Sequence, residues 1–538
     1  MRPGRAALAA LPLLFLGAFF LWPVLSIIGT GLWHDGALDL DGFRRVASDG
    51  DLWGVLWFST WQAALSTGLT LLVGLPAAHV FARYDFRGKA VLRALATVPF
   101  VLPTIVVATA FLALAGPAGI LPVNLDGTIW AILGAHVFFN HAVVLRTVGS
   151  LWAHLDPRHE EVARSLGASP LQTFRHVTLP LLRPAIAAAS SIVFLFTFTS
   201  FGVVLVLGGR GLTTLEVEIY RQTAILFDLP VAAALATIQL VGVTAILWWY
   251  ARVQERATVQ QRLRPVGETA RRIRSTSERW YVTGVLASMA VVLGAPIAVL
   301  VERSLRTAGG YGIRGYTALG DAGRTGIQIV DPVEATRNSL QTAAVATAVA
   351  LVVGLAAAAV LAKRSRWSRW FDALIMLPLG TSAATVGFGF LVALDAPVDL
   401  RASAILVPIA HALVAIPFVV RTVGPVLRSV RTDLREAAMV LGASPWRARW
   451  EVDVPIVSRA TLVAAGFAAA VSLGEFGATV FIARPDTTTL PVAIFRFLGR
   501  PGALNFSRAM AASVLLMAVT AAIVLAVERF RPARLGEF

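Results

Sequence analysis

The side chains able to do chemistry in this 538-residue chain are few and widely spaced. Glu475 is the one charged residue within the apolar interval 460–483. A carboxylate in such a run is costly, so it faces either a watery path or a polar partner on a neighbouring helix. Together with Phe476, and with Ser200 at the matching place of an internal repeat, it forms a candidate passage for a solute. His136 and His411 are also repeat mates, with Asn140 and His141 beside the first. Imidazoles invite metal ligation, but these have no recognised metal-site spacing, and contacts between packed helices are the simpler expectation. One glutamate and scattered histidines supply no convergent acid, base and nucleophile, which argues against an intramembrane enzyme. The chain has no cysteine, so disulfides and thiolate metal sites are excluded.

The elements that must position these groups are membrane spans. The chain is 57% hydrophobic, above the roughly 45–50% of soluble domains. Its longest stretches free of charge, Glu475 apart, are 6–34, 52–82, 94–125, 127–145, 184–209 and 229–251, then 280–301, 338–362, 373–394, 402–420, 460–483 and 509–527. Each is long enough to cross a bilayer, which predicts an all-α integral membrane protein of about 12 helices, six per half. The first run is far longer than a signal-peptide core and lacks a convincing cleavage site, so it reads as a retained helix.

The net charge of +16 reflects placement in loops, not a nucleic-acid surface. Basic residues collect in 83–93, 146–183, 252–279, 363–372, 421–459 and the tail from 528, while opposite loops such as 126–128 and 395–401 are short or acidic. The loop 302–337 is the exception. That bias puts both termini in the cytoplasm, with the chain embedded in the lipid bilayer.

The halves repeat each other most closely in polar loops. Arg146-Thr147-Val148-Gly149 returns as Arg421-Thr422-Val423-Gly424, and Leu166-Gly167-Ala168-Ser169-Pro170 as Leu441-Gly442-Ala443-Ser444-Pro445, each 275 residues on. Glu161, Pro180 and Phe201-Gly202 return as Glu436, Pro455 and Phe476-Gly477 at the same spacing. Spans two and three align at 279, pairing Gln62 with Gln341 and Pro99 with Pro378. Six spans per half makes the repeats parallel. The division predicted is 1–252 and 280–538, joined by a cytoplasmic linker at 253–279.

Each duplicated loop reads as two short helices around a turn. Asp156-Pro157 supplies a cap and a first-turn proline. Gly167 and Gly442 supply left-handed stops, and Ser169 with Gln172 a capping box. Asp433 and Glu436 are spaced for another box, and Pro180 and Pro455 are placed to break the second helix before spans five and eleven.

Glu161-Val162-Ala163, Gly167 and Val177-Thr178-Leu179-Pro180 resemble the EAA signature of ABC importer permeases. Glu436-Ala437-Ala438, Gly442 and Val452-Asp453-Val454-Pro455 match it again. Val162 stands where that motif usually has alanine, a conservative departure. The resemblance covers most of the chain and extends to fused two-half permeases of the thiamine and ferric-iron type, of type I architecture. Gly208-Gly209, Thr213-Thr214-Leu215-Glu216 and Ile219-Tyr220 resemble the same group, whereas Ser472-Leu473-Gly474-Glu475-Phe476-Gly477 resembles sulfate and molybdate permeases. The resemblance implies that Glu161, Ala163, Gly167, Pro180, Glu436, Ala438, Gly442 and Pro455 couple the chain to two copies of an ATPase subunit, and that an extracytoplasmic binding protein delivers the solute. The chain holds no G-x-x-x-x-G-K-[ST] loop of its own, so ATP would be bound by the partner subunits and this chain would carry no cofactor. An ion-driven secondary transporter is the competing expectation; it predicts several intramembrane charges and gives no reason for duplicated loop hairpins.

Overall fold

Leu102 and Pro103 turn the third apolar run through a right angle. Proline cannot donate to a helix and forces its predecessor out of the helical region, and Leu102 is accordingly extended at φ −63°, ψ 141°. The helices Lys89–Val101 and Thr104–Ala115 meet at a bend of 100°. In the second repeat Trp367–Gly380 and Ala383–Ala393 bend by 96°. Ser382 occupies the place of Pro103, 279 residues on. Its backbone, at φ −65°, ψ 144°, is close to that of Pro103 at φ −54°, ψ 135°. Ser382 Oγ accepts from the Ala384 and Thr385 amides at 3.0 and 3.4 Å, restarting the helix. One copy turns at a residue that lacks a donor; the other turns at a residue that caps the helix that follows.

The computed structural model describes residues 3–34, 37–257, 269–307, 310–320, 331–362, 366–395, 399–401 and 403–530. Among these, ten helices are long and apolar enough to cross a membrane, and the two bent pairs bring the number to 12. The all-α membrane architecture expected from the sequence is therefore present, but spans three and nine are bent pairs, not straight rods.

Each repeat is built on one tight helix pair. Gly50–Arg83 packs on Ile129–His154, where a Cβ at Gly74 would lie 2.8 Å from Val144 Cβ. Pro332–Leu361 packs on Leu406–Ser429 with the same 2.8 Å approach between Gly354 and Val419. Gly74 and Gly354 are 280 apart, which corrects the register of span two from 279. Ser59 Oγ accepts the Leu215 amide at 2.9 Å and Ser339 Oγ the Leu490 amide at 2.7 Å, again at 280. Gln62 and Gln341 are thus not equivalent. Gln62 is buried and donates to Thr197 O at 2.7 Å, while Gln341 is exposed.

First spans are exchanged between repeats. Ala9, Leu16 and Phe20 pack into the core of the second repeat, and Trp22 Nε1 donates to Ala393 O at 3.1 Å. Gly389 lets Pro23 and Ile27 approach, its notional Cβ 3.0 Å from Pro23 Cβ. Met289, Leu293 and Leu300, from Thr276–Leu305, pack into the core of the first. Trp53, Trp57, Trp248 and Trp249 are exposed on the outside, as an interfacial belt requires. Part of the expected linker, 258–268, lies outside the described residues. The segment after it is tied to the first repeat by Arg271-Arg272 pairing parallel to Tyr84-Asp85, and to the following helix by Arg271 bonded to Glu278 at 2.6 Å.

Candidate functional site: a shared cavity between two hairpins

The hairpin helices are Arg158–Ser165 and Thr432–Val440. Asp156 Oδ1 accepts the Arg158 amide at 3.0 Å, so the first begins as its sequence directs. Both stop in the same way. The Ala168 and Ala443 amides reach back to Ala163 O and Ala438 O at 3.0 Å, and the Gly167 and Gly442 amides donate to Arg164 O and Met439 O at 3.0 Å. That is the Schellman pattern, and it requires the left-handed backbone found at Gly167 (φ 89°) and Gly442 (φ 92°). Ser169 and Gln172 form their capping box, and Ser444 Oγ accepts the Arg447 amide at 3.2 Å. The expected box at Asp433 and Glu436 does not form. The helix starts two residues earlier, at Thr432, and Asp433 instead pairs with Arg431 at 2.5 Å.

Pro180 and Pro455 do not break their helices. One π-helical turn precedes each, Phe174–Thr178 and Arg449–Asp453. Widening the turn makes room for a ring that would otherwise crowd the carbonyl four residues back. The helices continue as Pro170–Phe198 and Pro445–Gly474, welding each hairpin rigidly to a span.

Glu161 and Glu436 are solvent-exposed, and Ala163 and Ala438 half-buried. The residue holding the first hairpin in place is Glu160, which the motif does not mark. Its Oε1 accepts from Arg83 at 2.9 Å and from Thr178 at 3.1 Å, and buried Arg83 also donates to Leu155 O at 2.9 Å. Burial pushes the Glu160 carboxyl up, but the Arg83 charge and hydrogen bond, with Thr178 and His79, outweigh it and hold it below its ordinary value. In the second hairpin the same two positions are Arg435 and Asp453, joined at 2.7 Å. The contact is preserved with different chemistry, and Leu166 and its mate Leu441 project into solvent at 82% and 87% exposure.

Between the repeats lies a cavity of about 1040 Å³. Ser200, Glu475 and Phe476 all line it, as do Arg146 and Arg421. The last two are not loop residues, because their helices run on to His154 and Ser429; the polar loops are shorter than 146–183 and 421–459. Arg428 and Ser429 line the open end, three residues before the second hairpin. At the other end Phe201 and Phe476 stack at 5.6 Å, flanked by Phe481, Tyr220 and Phe495. Glu475 sits at the break between Val454–Gly474 and Gly477–Ile482, its Oε1 accepting the Ala478 amide at 3.0 Å.

The histidines are structural contacts. His136 bonds Ser66 and Ser200 at 2.9 Å each, and His411 bonds Ser472 at 2.8 Å and Thr479 at 2.7 Å. With both ring nitrogens engaged, neither is free for a metal. His141 is buried with no hydrogen-bond partner at either nitrogen. Sequence reasoning passed over further buried charges: Arg83, Glu216, Glu218 and Arg508. Glu216 accepts a hydrogen bond from Gln239. These residues lie at the ends of apolar runs or beyond them, where counting charge-free intervals gives no signal.

A duplicated membrane bundle with paired hairpins at the mouth of a shared cavity is the build of a permease. The family model described as binding-protein-dependent transport system inner membrane component matches residues 70–259 and 319–533, and the chain belongs to that family. It is 28% identical over 514 residues to the thiamine transport system permease protein ThiP of Brucella abortus (strain 2308), covering 92% of this chain and 89% of that one. The Escherichia coli (strain K12) protein of the same name is 27% identical, covering 85% and 86%. A probable ABC transporter permease protein of Sinorhizobium fredii (strain NBRC 101917 / NGR234) is 25% identical, covering 96% and 95%. A chain from a bacterial ABC transporter involved in import of the acidic polysaccharide alginate aligns with 46% of this chain and 93% of its own, at 16% identity and a TM-score of 0.37.

Proposed function

We propose that the chain is the fused permease subunit of an ATP-driven importer, and that its solute is thiamine. The observation that carries the transport reading is the cavity shared by both repeats, open beside the hairpins and closed by stacked phenylalanines at its far end. The relatives named as thiamine permeases match nearly end to end, which favours thiamine over ferric iron or a sulfate-type oxyanion. The working units are 1–252 and 280–538, with 253–279 as linker.

In this reading the hairpins face the cytoplasm, both termini lie there, and one ATPase subunit seats on each hairpin. The exposed Leu166 and Leu441 are the apolar contacts such a seat needs. Glu161, Ala163, Gly167 and Pro180, with Glu436, Ala438, Gly442 and Pro455, shape the two coupling elements. The welded helices Pro170–Phe198 and Pro445–Gly474 carry a push from either ATPase to Ser200, Glu475 and Phe476 on the solute's path. The cavity would then open to the cytoplasm, and an external binding protein would deliver solute when the phenylalanine end opens. ATP is bound and hydrolysed by the partners.

The test is a mild-detergent pulldown from the native membrane, followed by native mass measurement. One chain with two ATPase subunits, and a binding protein carrying thiamine, is the expected result. Recovery of the chain alone, with transport abolished by an ionophore, would point to the secondary transporter instead.

A further inference from the structure

We propose that the closed end of the cavity is a selective seat for an organic ring cation, with Glu475 as its counter-ion and phenylalanine faces as its walls. This rests on the reading of the chain as a thiamine permease, and goes further by assigning this chain, not only its binding protein, a share of the selectivity.

The cavity has an electrical order along its length. His136 and His411 bond residues at the level of the helix breaks, Ser200 in one repeat and Ser472 and Thr479 in the other. Arg146 and Arg421 lie ten residues further along the same helices, about 15 Å at the α-helical rise. Arg421 is paired there with Asp372 at 3.2 Å. Arg146 and the Arg421–Asp372 pair therefore lie toward the open end, and Glu475 at the closed end. Glu475 lines the cavity itself.

The walls fit the same ligand. Phe100 packs against Phe139 at 5.6 Å and Phe196 at 5.9 Å, and all three line the cavity. Aromatic faces attract cations, more strongly when desolvated. A flat ring bearing a positive charge satisfies both the apolar walls and the carboxylate; an inorganic anion satisfies neither. Glu475 also caps a helix through the Ala478 amide, and a glutamine in its place retains an acceptor for that amide while losing the charge. Cap and counter-ion are therefore separable by one substitution.

The experiment uses the intact complex, with its ATPase and binding protein, in proteoliposomes. Initial import is compared for thiamine and for an analogue of the same shape whose charged ring nitrogen is replaced by carbon. Both must first be shown to saturate the binding protein. Wild type should favour the cation about tenfold, within the range of a desolvated cation–aromatic contact. Glu475→Gln should bring the preference to within about twofold, and Glu475→Asp should keep most of it. Phe139→Leu should weaken it severalfold, an independent check should Glu475→Gln not assemble. Import of thiamine by wild type with an undiminished preference in both Glu475→Gln and Phe139→Leu overturns the seat and leaves the proposed function standing. Faster import of an anionic phosphate ester than of thiamine places the ligand at the arginine end and also overturns it. No import of thiamine by wild type removes both readings.

Discussion

Phe201 and Phe476 stack at 5.6 Å between ring centroids and 24° between planes, one from each repeat, 275 residues apart in the chain. The internal pseudo-symmetry thus closes the cavity with a pair of equivalent rings. Phe476 is 1% exposed, and Gly202 lies under it, its notional Cβ 3.2 Å from the Phe476 ring.

Truncating one ring should open the closed end. Phe476→Ala removes a buried aromatic, at a cost of about 3–5 kcal/mol, and leaves Phe201 without its partner. Proteoliposomes containing this variant should leak preloaded thiamine without ATP, whereas wild type should retain it. Retention equal to wild type would show that the stack is packing alone.

The second hairpin offers a charge-reversal test. Arg435→Asp or Asp453→Arg should each place like charges at a 2.7 Å contact and lower ATP-driven import severalfold. The double exchange Arg435→Asp/Asp453→Arg should recover at least half. Failure of the double variant to exceed either single variant would mean that the pair does not hold the hairpin.

Acid should loosen the first hairpin. The Glu160 carboxyl is held below its ordinary value of 4.5. A depressed acid contributes stability that is fully present above the unfolded value and is lost as pH falls through the folded one. A spin label at exposed Val162 should therefore be immobile at neutral pH and gain mobility as pH falls below 4.5. Glu160→Gln should show the mobile signal at neutral pH. A mobility independent of pH in wild type would contradict the latch.

Gly167 and Gly442 face open space, so substitution there is opposed by backbone conformation alone. Valine should cost about 1–2 kcal/mol at the left-handed position and reduce coupling, measured as stimulation of ATP hydrolysis by loaded binding protein. Asparagine, which tolerates that conformation, should behave close to wild type. Equal stimulation in Gly442→Val and wild type would remove the turn from the coupling pathway.

Much of this was legible in the sequence because it is local. Gly167, Gly442 and the Ser169–Gln172 box act through their nearest neighbours, and span existence follows from apolar length. What was not legible is directional. A charge-free run does not show that Pro103 turns it by a right angle, or that Ser382 does the same by capping. Nor does it place Arg146 and Arg421 inside helices that line a cavity. The register of span two hinged on one residue, because Gln62 and Gln341 match by type while the tight Gly74–Val144 and Gly354–Val419 contacts are spaced differently. The latch was hidden behind the neighbouring motif glutamate. Its one trace in the sequence is that Glu160 and Thr178 become Arg435 and Asp453 together in the second copy.

The most direct measurement is thiamine accumulation by proteoliposomes containing the chain, its ATPase partner and its binding protein. The account predicts uptake against a gradient that requires ATP hydrolysis and binding protein and is indifferent to ionophores. Uptake that persists without ATP hydrolysis and collapses with an ionophore would contradict it.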